Sequence, residues 1–354
     1  MPKAMIAMSG GVDSSVAAYL TLAQGLDCCG GMMQLHKTVQ QDGCGSLAHA
    51  KDAQAVAQKL GIPFHLFDFS QQFEECVIRK FANCYENGET PNPCVDCNRH
   101  LKFEAFLQQA LSMGCDTVVT GHYAKIQQDP ATGRYLLKKA ADADKDQSYF
   151  LYTLTQKQLQ HIQFPLGFYT KQQIREIARE QGFITAQKKD SQDICFIPDG
   201  DYLSFLQRYH GRTYPQGAFL NAAGNVVGTH KGAVGYTLGQ RKGLGIALGE
   251  PVYVCDKNMK DNTVTVGPEA LLYHSTLRAK DWNFFPFSQL SAPMEVKAKT
   301  RSRQKEQPAW VYPEDGGFAR VKFATPQRAI TPGQAVVLYD GDTVIGGGTI
   351  TEAF

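Results

Sequence analysis

A short apolar run that ends in two glycines constrains this chain more than any other stretch. Residues 4–8 are apolar, Ser9, Gly10 and Gly11 follow, and a helical pattern begins near Asp13. Glycines permit positive φ and leave backbone N–H groups accessible, and a helix N-terminus adds further unpaired N–H groups. The pattern predicts a buried strand, an anion-binding turn at the two glycines, and a helix over 13–24.

The spacing of this turn excludes two common nucleotide-binding loops. No Lys follows the second glycine at the Walker A spacing, and the Gly-x-Gly-x-x-Gly dinucleotide fingerprint is absent. A simpler interpretation is a glycine turn whose helix is capped by Ser or Asp. The apolar strand before the turn favours a nucleotide site.

The N-terminal half alternates strand patterns with helical patterns. Strands are predicted over 28–35, 63–69 and 116–120, and helices over 46–60, 73–85 and 103–113. This alternation predicts an α/β fold with a doubly wound parallel sheet. Ligands bind at the carboxyl ends of such strands, so the Ser9 turn, the residues after Met33 and residues 120–123 should converge.

The pattern changes after Pro198, Asp199 and Gly200 to short strands and glycine turns. Strands are predicted over 295–305, 318–323, 334–339 and 343–350, with a hairpin at Asp340 and Gly341. We expect three domains, residues 1–197, a small central domain over 198–268 and a C-terminal β-barrel over 269–354.

Composition limits the compartment and the mode of nucleic-acid binding. The formal net charge of the 354 residues is only +2, so a nucleic-acid surface must come from local clusters of Lys and Arg. No apolar run approaches the length of a membrane span, and we expect a cytoplasmic protein without a membrane anchor. In a reducing compartment the ten cysteines should be core thiols, metal ligands or catalytic groups.

One basic segment is sharply patterned, because uncharged residues alternate with Lys297, Lys299, Arg301, Arg303 and Lys305. On a strand, all five cations would face one way and could follow an RNA phosphate backbone. The alternative is an edge strand that lysines protect against aggregation.

Two cysteines lie where prolines interrupt the helical pattern, which predicts a loop over 92–98 between two helices. Arg99, His100 and a following helix would favour the thiolate of Cys97 and make it a candidate nucleophile. Zinc held by Cys94, Cys97, His100 and Cys195 is an alternative.

Seven segments together resemble the tRNA-specific 2-thiouridylase family of the PP-loop ATP pyrophosphatase superfamily: residues 9–14, 90–93 with 97–98, 120–123, 145–151, 189–191 with 194–197, 237–245 and 331–334. The resemblance spans almost the whole chain. It implies a sulfurtransferase that uses ATP and Mg²⁺ to adenylate the C2 oxygen of the wobble uridine of tRNA. Sulfur then displaces AMP. It also implies a sulfur donor, either a cysteine desulfurase or a sulfur-relay protein, and we expect a monomer.

The resemblance also implies roles for single residues. Cys195 would carry a persulfide, and Cys97 would attack it and leave a Cys97–Cys195 disulfide. The expected ATP-binding residues are Ala7, Met8, Ser9, Gly10, Gly11, Val12, Asp13, Ser14, Met33 and Gly121. The target base would meet Asn92, Pro93 and Cys94, and the other expected tRNA contacts are His122, Lys145, Asp146, Gln147, Arg301, Ser302 and Gln334.

The chain departs from the common family pattern at Cys94, where many members have an Asp that serves as general acid and base. Cys94, Cys97 and Cys195 could instead hold a [4Fe–4S] cluster with one iron open for sulfide. Two further classes stay open, another PP-loop adenylating enzyme such as an amidotransferase or a different tRNA thiolase, and a non-catalytic RNA-binding redox protein.

Overall fold

The computed structural model describes residues 2–36, 47–188 and 194–354. Residues 189–191, which carry part of the family resemblance, lie outside these ranges. The helices are α1 (Val12–Ala23), α2 (Leu47–Leu60), α3 (Ser70–Phe73), α4 (Arg79–Glu86), α5 (Pro93–Asp96), α6 (Phe106–Ser112), α7 (Gln156–Leu159), α8 (Lys171–Glu180) and α9 (Tyr202–His210). The strands are β1 (Lys3–Ala7), β2 (Asp27–Gln34), β3 (Phe64–Asp68), β4 (Thr117–Val119), β5 (Lys125–Gln128), β6 (Tyr135–Lys138), β7 (Ile162–Gln163), β8 (Gly217–Leu220), β9 (Val226–His230), β10 (Tyr253–Asn258), β11 (Thr263–Gly267), β12 (Tyr273–Phe284), β13 (Met294–Lys299), β14 (Gln307–Pro313), β15 (Ala319–Arg328), β16 (Ala335–Asp340) and β17 (Thr343–Ala353).

The N-terminal sheet has the order β3-β2-β1-β4-β7, and all of its neighbouring strands are parallel. One hydrophobic core contains Val16 of α1 and Ala53 of α2, and a second contains Phe73 of α3 and Phe106 of α6. Ile6 and Met5 are adjacent on β1, so their side chains point to opposite faces of the sheet. Ile6 belongs to the first core and Met5 to the second, so the two cores cover opposite faces of the sheet. The predicted doubly wound parallel sheet is confirmed.

The segment around Cys94 begins a helix, so the expected loop over 92–98 is wrong. α5 starts at Pro93, continues through π-helical residues Cys97–Ala105 and passes into α6. Proline is tolerated at the first helical position, where its missing N–H has no intrahelical partner to lose. The proline that suggested an interruption therefore marks the helix start.

The second half contains two further sheets. The central one has the order β10-β11-β8-β9. The C-terminal domain has six neighbouring strands in the spatial order β12-β15-β14-β13-β16-β17. The first and last of these, β12 and β17, also pair with each other and close a six-stranded barrel. The predicted hairpin joins β16 to β17 at Gly341, where φ is +57°. The predicted barrel is confirmed.

A hairpin from the first half of the chain, β5–β6, extends the barrel sheet, and the sequence did not indicate it. Thr343 of β17 pairs with Lys138 of β6. The Arg134 guanidinium donates hydrogen bonds to the carbonyl oxygens of Phe285 and Phe287 at 2.7 and 3.1 Å. The barrel is thereby attached to the N-terminal region. No helix in the described ranges is long and apolar enough to cross a membrane.

The basic segment is not one strand. β13 ends at Lys299, and a turn follows because Gln304 Oε1 accepts hydrogen bonds from the N–H and the hydroxyl of Thr300. Only Lys297 and Lys299 of the five cations lie on the strand, so the expectation that all five share a face is wrong. The edge-strand alternative is also wrong, since β13 pairs with both β14 and β16.

Candidate active site

Loops from the carboxyl ends of β1, β2 and β4 line one cavity of about 430 Å³. This is the convergence that the parallel sheet predicted. The walls include every residue expected to bind ATP, namely Ala7, Met8, Ser9, Gly10, Gly11, Val12, Asp13, Ser14, Met33 and Gly121.

The two glycines of the turn differ in conformation. Gly10 has φ +71°, and a Cβ there would lie 2.3 Å from the carbonyl oxygen of His49. Gly11 is extended with φ −103° and ψ 167°, so it does not use the positive φ that a glycine permits. Gly11 is the N-cap of α1 and supplies no side-chain hydrogen bond, which excludes the simple Ser or Asp cap. The first N–H groups of α1 thus remain accessible to an anion.

Side chains and a close backbone approach hold the turn in place. The N–H and hydroxyl of Ser9 donate to Ser14 Oγ at 3.1 and 3.2 Å, and Ser14 Oγ donates to the carbonyl oxygen of Gly11. A Cβ at Gly121 would lie 2.8 Å from the carbonyl carbon of Asp13. Gly121 therefore allows the loop after β4 to approach the start of α1.

The cavity is strongly basic. Asp13 is the only acidic residue among the described lining residues, and it accepts hydrogen bonds at 2.8 Å from Lys171 Nζ and from the Tyr123 hydroxyl. Lys188 pairs with Asp52 and donates to the carbonyl oxygen of Gly10 at 3.1 Å. The five lining cations are Lys102, Lys145, Lys171, Lys188 and Arg303. Such a site suits a polyphosphate.

Most of these cations were not identified from sequence. Lys102, Lys171 and Lys188 come from separate segments, and no local motif marks them. Only the tertiary fold brings them to the Gly10 turn. The available signal was weak, since only a helical pattern begins at Lys171.

His122 lies in the cavity wall, where it is only 8% exposed. Its Nδ1 is 2.6 Å from Thr120 Oγ1, and its ring packs against Phe103 and Phe164. Burial, with a smaller contribution from the charge of Lys102, holds the pKa of His122 well below its usual value. The imidazole is therefore neutral near pH 7.

The segment after Ala140 contains two residues that line the cavity and one that makes hydrogen bonds within the protein. Lys145 and Gln147 line the cavity, and Gln147 Oε1 accepts a hydrogen bond from the Tyr123 N–H at 2.9 Å. Asp146 instead accepts from the Ala140 N–H and the Ser148 hydroxyl. Asp146 thus fixes the turn that carries the other two.

The barrel holds the segment that precedes Asn92, Pro93 and Cys94. Gln334 Nε2 donates to the carbonyl oxygens of Thr90 and Pro91 at 2.8 and 3.1 Å. The amide of Gln334, an expected tRNA contact, is thus used inside the protein.

Arg301 also makes contacts within the protein. One guanidinium nitrogen donates to the carbonyl oxygens of Leu238 and Ala329 and to Thr331 Oγ1 at 3.0–3.3 Å. Burial, together with the nearby charge of Arg328, lowers the pKa of Arg301. Ser302 next to it is half-buried. Arg301 thus joins the central domain to the barrel.

The described cysteines near the expected site, Cys94, Cys97 and Cys195, do not form a metal site. Cys94 is exposed, whereas Cys97 and Cys195 are half-buried against the aromatic cluster that contains Phe196. No group of three or more His, Cys, Asp or Glu among the described residues could hold a metal ion. Cys94, Cys97, His100 and Cys195 are all described, and they fit neither zinc nor a [4Fe–4S] cluster in this arrangement.

Three family models match successive parts of the chain. Residues 2–199 match the tRNA methyl transferase HUP domain, 203–268 the tRNA methyl transferase PRC-barrel domain and 274–350 the aminomethyltransferase beta-barrel domain. The fold and the cavity thus define a HUP-domain protein of the PP-loop type that carries two β domains.

Relatives identify the family within that class. The chain is 49% identical to the tRNA-specific 2-thiouridylase MnmA of Acetivibrio thermocellus over 98% of this chain and 99% of that protein. It is 50% identical to the same-named protein of Heliobacterium modesticaldum, over 98% of this chain and 92% of that one. The chain belongs to the tRNA-specific 2-thiouridylase family.

Proposed function

We propose that this chain is an ATP-dependent tRNA 2-thiouridylase. One observation carries the proposal: a single basic cavity contains all ten expected ATP-binding residues, in a chain that is 49% identical over nearly its full length to an enzyme of that name. The uridine C2 oxygen attacks the α-phosphorus of ATP, the bond to the β-phosphate oxygen breaks, and pyrophosphate leaves. Mg²⁺ enters as part of the ATP substrate, since it favours phosphate oxygens with few protein ligands.

For sulfur delivery we propose the persulfide route. A donor, a cysteine desulfurase or a sulfur-relay protein, loads Cys195 as a persulfide. The Cys97 thiolate attacks the inner sulfur and forms a Cys97–Cys195 disulfide. Hydrosulfide leaves, adds to C2 of the adenylated uridine and displaces AMP, and a cellular thiol later reduces the disulfide. The packing of Cys97 and Cys195 against one aromatic cluster supports this route, and we derive no step through a cluster.

The remaining parts of the proposal concern recognition and organisation. We propose that Asn92, Pro93 and Cys94 face the target base and that His122, Lys145, Gln147 and Ser302 contact tRNA. Asp146, Arg301 and Gln334, also expected tRNA contacts, make the internal hydrogen bonds described above, and we propose that they position this surface. We further propose a cytoplasmic monomer with domains 1–197, 198–268 and 269–354. The three family matches, which meet near residues 200 and 270, support these limits.

The test is nucleotide cleavage by the purified chain with and without unmodified tRNA. We expect ATP to yield AMP and pyrophosphate only when tRNA is present. Mass spectrometry of nucleosides from cells that lack the chain should show the loss of 2-thiouridine. Cleavage driven by ammonia or a small substrate would favour an amidotransferase, and absence of cleavage would favour a non-catalytic RNA-binding protein.

Cys94 separates the two sulfur routes. Cys94→Asp restores the common family residue, and an acidic side chain in the first helical turn is favoured by about 0.3–1 kcal/mol. We expect this variant to retain thiolation when it is prepared in air. If anaerobic protein instead contains several irons per chain, and if Cys94→Asp loses both iron and activity, the persulfide route is wrong.

A further inference from the structure

One cation of the nucleotide cavity comes from the C-terminal barrel. Arg303 lies on the turn between β13 and β14, yet it lines the same cavity as Gly10 and Gly11 of the first loop. The other four lining cations belong to residues 2–199, which match the HUP domain. The nucleotide site is therefore built from two domains.

The turn that carries Arg303 is held from several sides. Gln304 Oε1 accepts two hydrogen bonds from Thr300, and the Gln304 N–H donates to the carbonyl oxygen of Arg301 at 3.1 Å. Gln304 Nε2 donates to Gln327 Oε1 at 2.7 Å. Arg301 is anchored by the three acceptors described above. The backbone at residue 303 is thus positioned before any ligand binds.

The side chain of Arg303 differs from its neighbours because it is not used within the protein. Arg303 is exposed, and within the described residues it forms no hydrogen bond or ion pair. Among the other lining cations, Lys171 and Lys188 already pair with Asp13 and Asp52. A guanidinium on a rigid turn offers donors in a planar fork that matches two oxygens of a phosphate.

We infer that Arg303 binds a phosphate group of ATP, so that the barrel completes the nucleotide site. This inference rests on the proposed function, since it assumes that ATP occupies the cavity. It adds a phosphate-binding residue from a second domain to those of the Gly10 turn. It also gives Arg303 a different role from Arg301, because Arg301 joins the barrel to the central domain whereas Arg303 binds the ligand.

The test compares nucleotide affinity among full-length variants in the absence of tRNA. Calorimetry with α,β-methylene-ATP should show binding by Arg303→Ala about 10- to 100-fold weaker than by the unchanged chain, the usual effect of losing a charged hydrogen bond. Arg303→Lys should bind with intermediate affinity, because it keeps the charge but loses the fork. Lys322→Ala is the matched control, since Lys322 is an exposed cation on β15 outside the cavity. Adenosine, which lacks phosphate, should bind all variants equally.

Each outcome has a distinct meaning. Equal affinity of the unchanged chain and Arg303→Ala for α,β-methylene-ATP would overturn the inference alone. If Arg303→Ala binds tRNA more weakly than the unchanged chain but binds nucleotide equally well, Arg303 contacts tRNA phosphate instead. If the unchanged chain binds no nucleotide, the proposed function fails and the inference fails with it. Urea unfolding of each variant identifies a misfolded protein. If Arg303→Ala does not fold, the nucleotide affinity of Arg303→Lys is compared with that of the unchanged chain.

Discussion

Gly10 and Gly11 are adjacent but have different backbone requirements. Gly10 combines a φ of +71° with the close approach of the His49 carbonyl oxygen, so a side chain is excluded on two grounds. Gly11 is extended, and a Cβ there would meet only Ser9 Oγ at 3.4 Å. The conformational demand of the nucleotide turn therefore lies at Gly10.

We expect Gly10→Ala to lower the free energy of unfolding by more than about 1 kcal/mol, because a left-handed conformation alone costs an L-residue that much. The displaced turn should also abolish tRNA-dependent AMP formation. Gly11→Ala should have a much smaller effect on stability. Urea unfolding and AMP release measure the two properties, and equal stability of the two variants would contradict this account.

His122 predicts a pH dependence of stability. In the unfolded chain its pKa is about 6.5, whereas burial keeps the folded imidazole neutral well below that value. As the pH falls below about 6.5, the unfolded state takes up a proton that the folded state does not. The free energy of unfolding should therefore fall, by up to about 1.4 kcal/mol per pH unit from this residue.

The measurement is urea unfolding of the unchanged chain and of His122→Gln between pH 7.5 and about 5. We expect the variant to lose less stability over this interval. Parallel curves for the two proteins would show that His122 protonates equally in both states.

At the scale of elements, two short segments differ from their sequence patterns. The helix begins at Pro93 because the first helical position tolerates proline, and the turn after Lys299 is held by hydrogen bonds from Thr300 to Gln304. In the turn, Arg301 is half-buried and hydrogen-bonded, whereas Arg303 is exposed. Replacement of Arg301 should therefore reduce stability much more than replacement of Arg303.

Arg301→Ala removes a charged donor from three oxygen acceptors. We expect the free energy of unfolding to fall by about 1–3 kcal/mol. Arg303→Ala should change it by less than about 0.5 kcal/mol, because its exposed side chain forms no such contacts with the part of the chain that the structure describes. Denaturant midpoints of the two variants test this prediction. An Arg301→Ala protein as stable as the unchanged chain would show that the contacts of Arg301 do not stabilise the fold.

At the scale of the whole molecule, the barrel positions parts of the N-terminal domain. Gln334 holds the backbone just before Asn92, and the β5–β6 hairpin extends the barrel sheet. Tyr149 and Tyr339, from the two halves of the chain, share one hydrophobic core. The barrel therefore helps to fix the segment around Asn92, where we propose that the target base binds.

Gln334→Ala removes both hydrogen bonds to the segment before Asn92. We expect a decrease of about tenfold in the thiolation rate, which corresponds to about 1.4 kcal/mol. Nucleotide affinity should change little, because the hairpin still attaches the barrel. Gln307→Ala is the control, since within the described residues the side-chain hydrogen bond of Gln307 goes to the nearby carbonyl oxygen of Lys305. A similar loss in both variants would contradict a specific role for Gln334.

The sequence by itself determined the parallel sheet, the anion-binding turn and the C-terminal barrel. These follow from local information, namely the period of apolar residues, the glycines after β1 and the hairpin at Gly341. The convergence of the loops after β1, β2 and β4 on one cavity was also predictable, because parallel topology places strand ends together.

Tertiary structure alone decided which cations face the cavity and which hold the fold together. Lys102, Lys188 and Arg303 reach one cavity from distant segments, and residue type gave no sign of this. The different environments of Arg301 and Arg303 depend on acceptors supplied by Leu238 and Ala329, far along the chain. Hydrogen bonds between distant backbone atoms leave no periodic signal in the sequence, so only the packed structure reveals them.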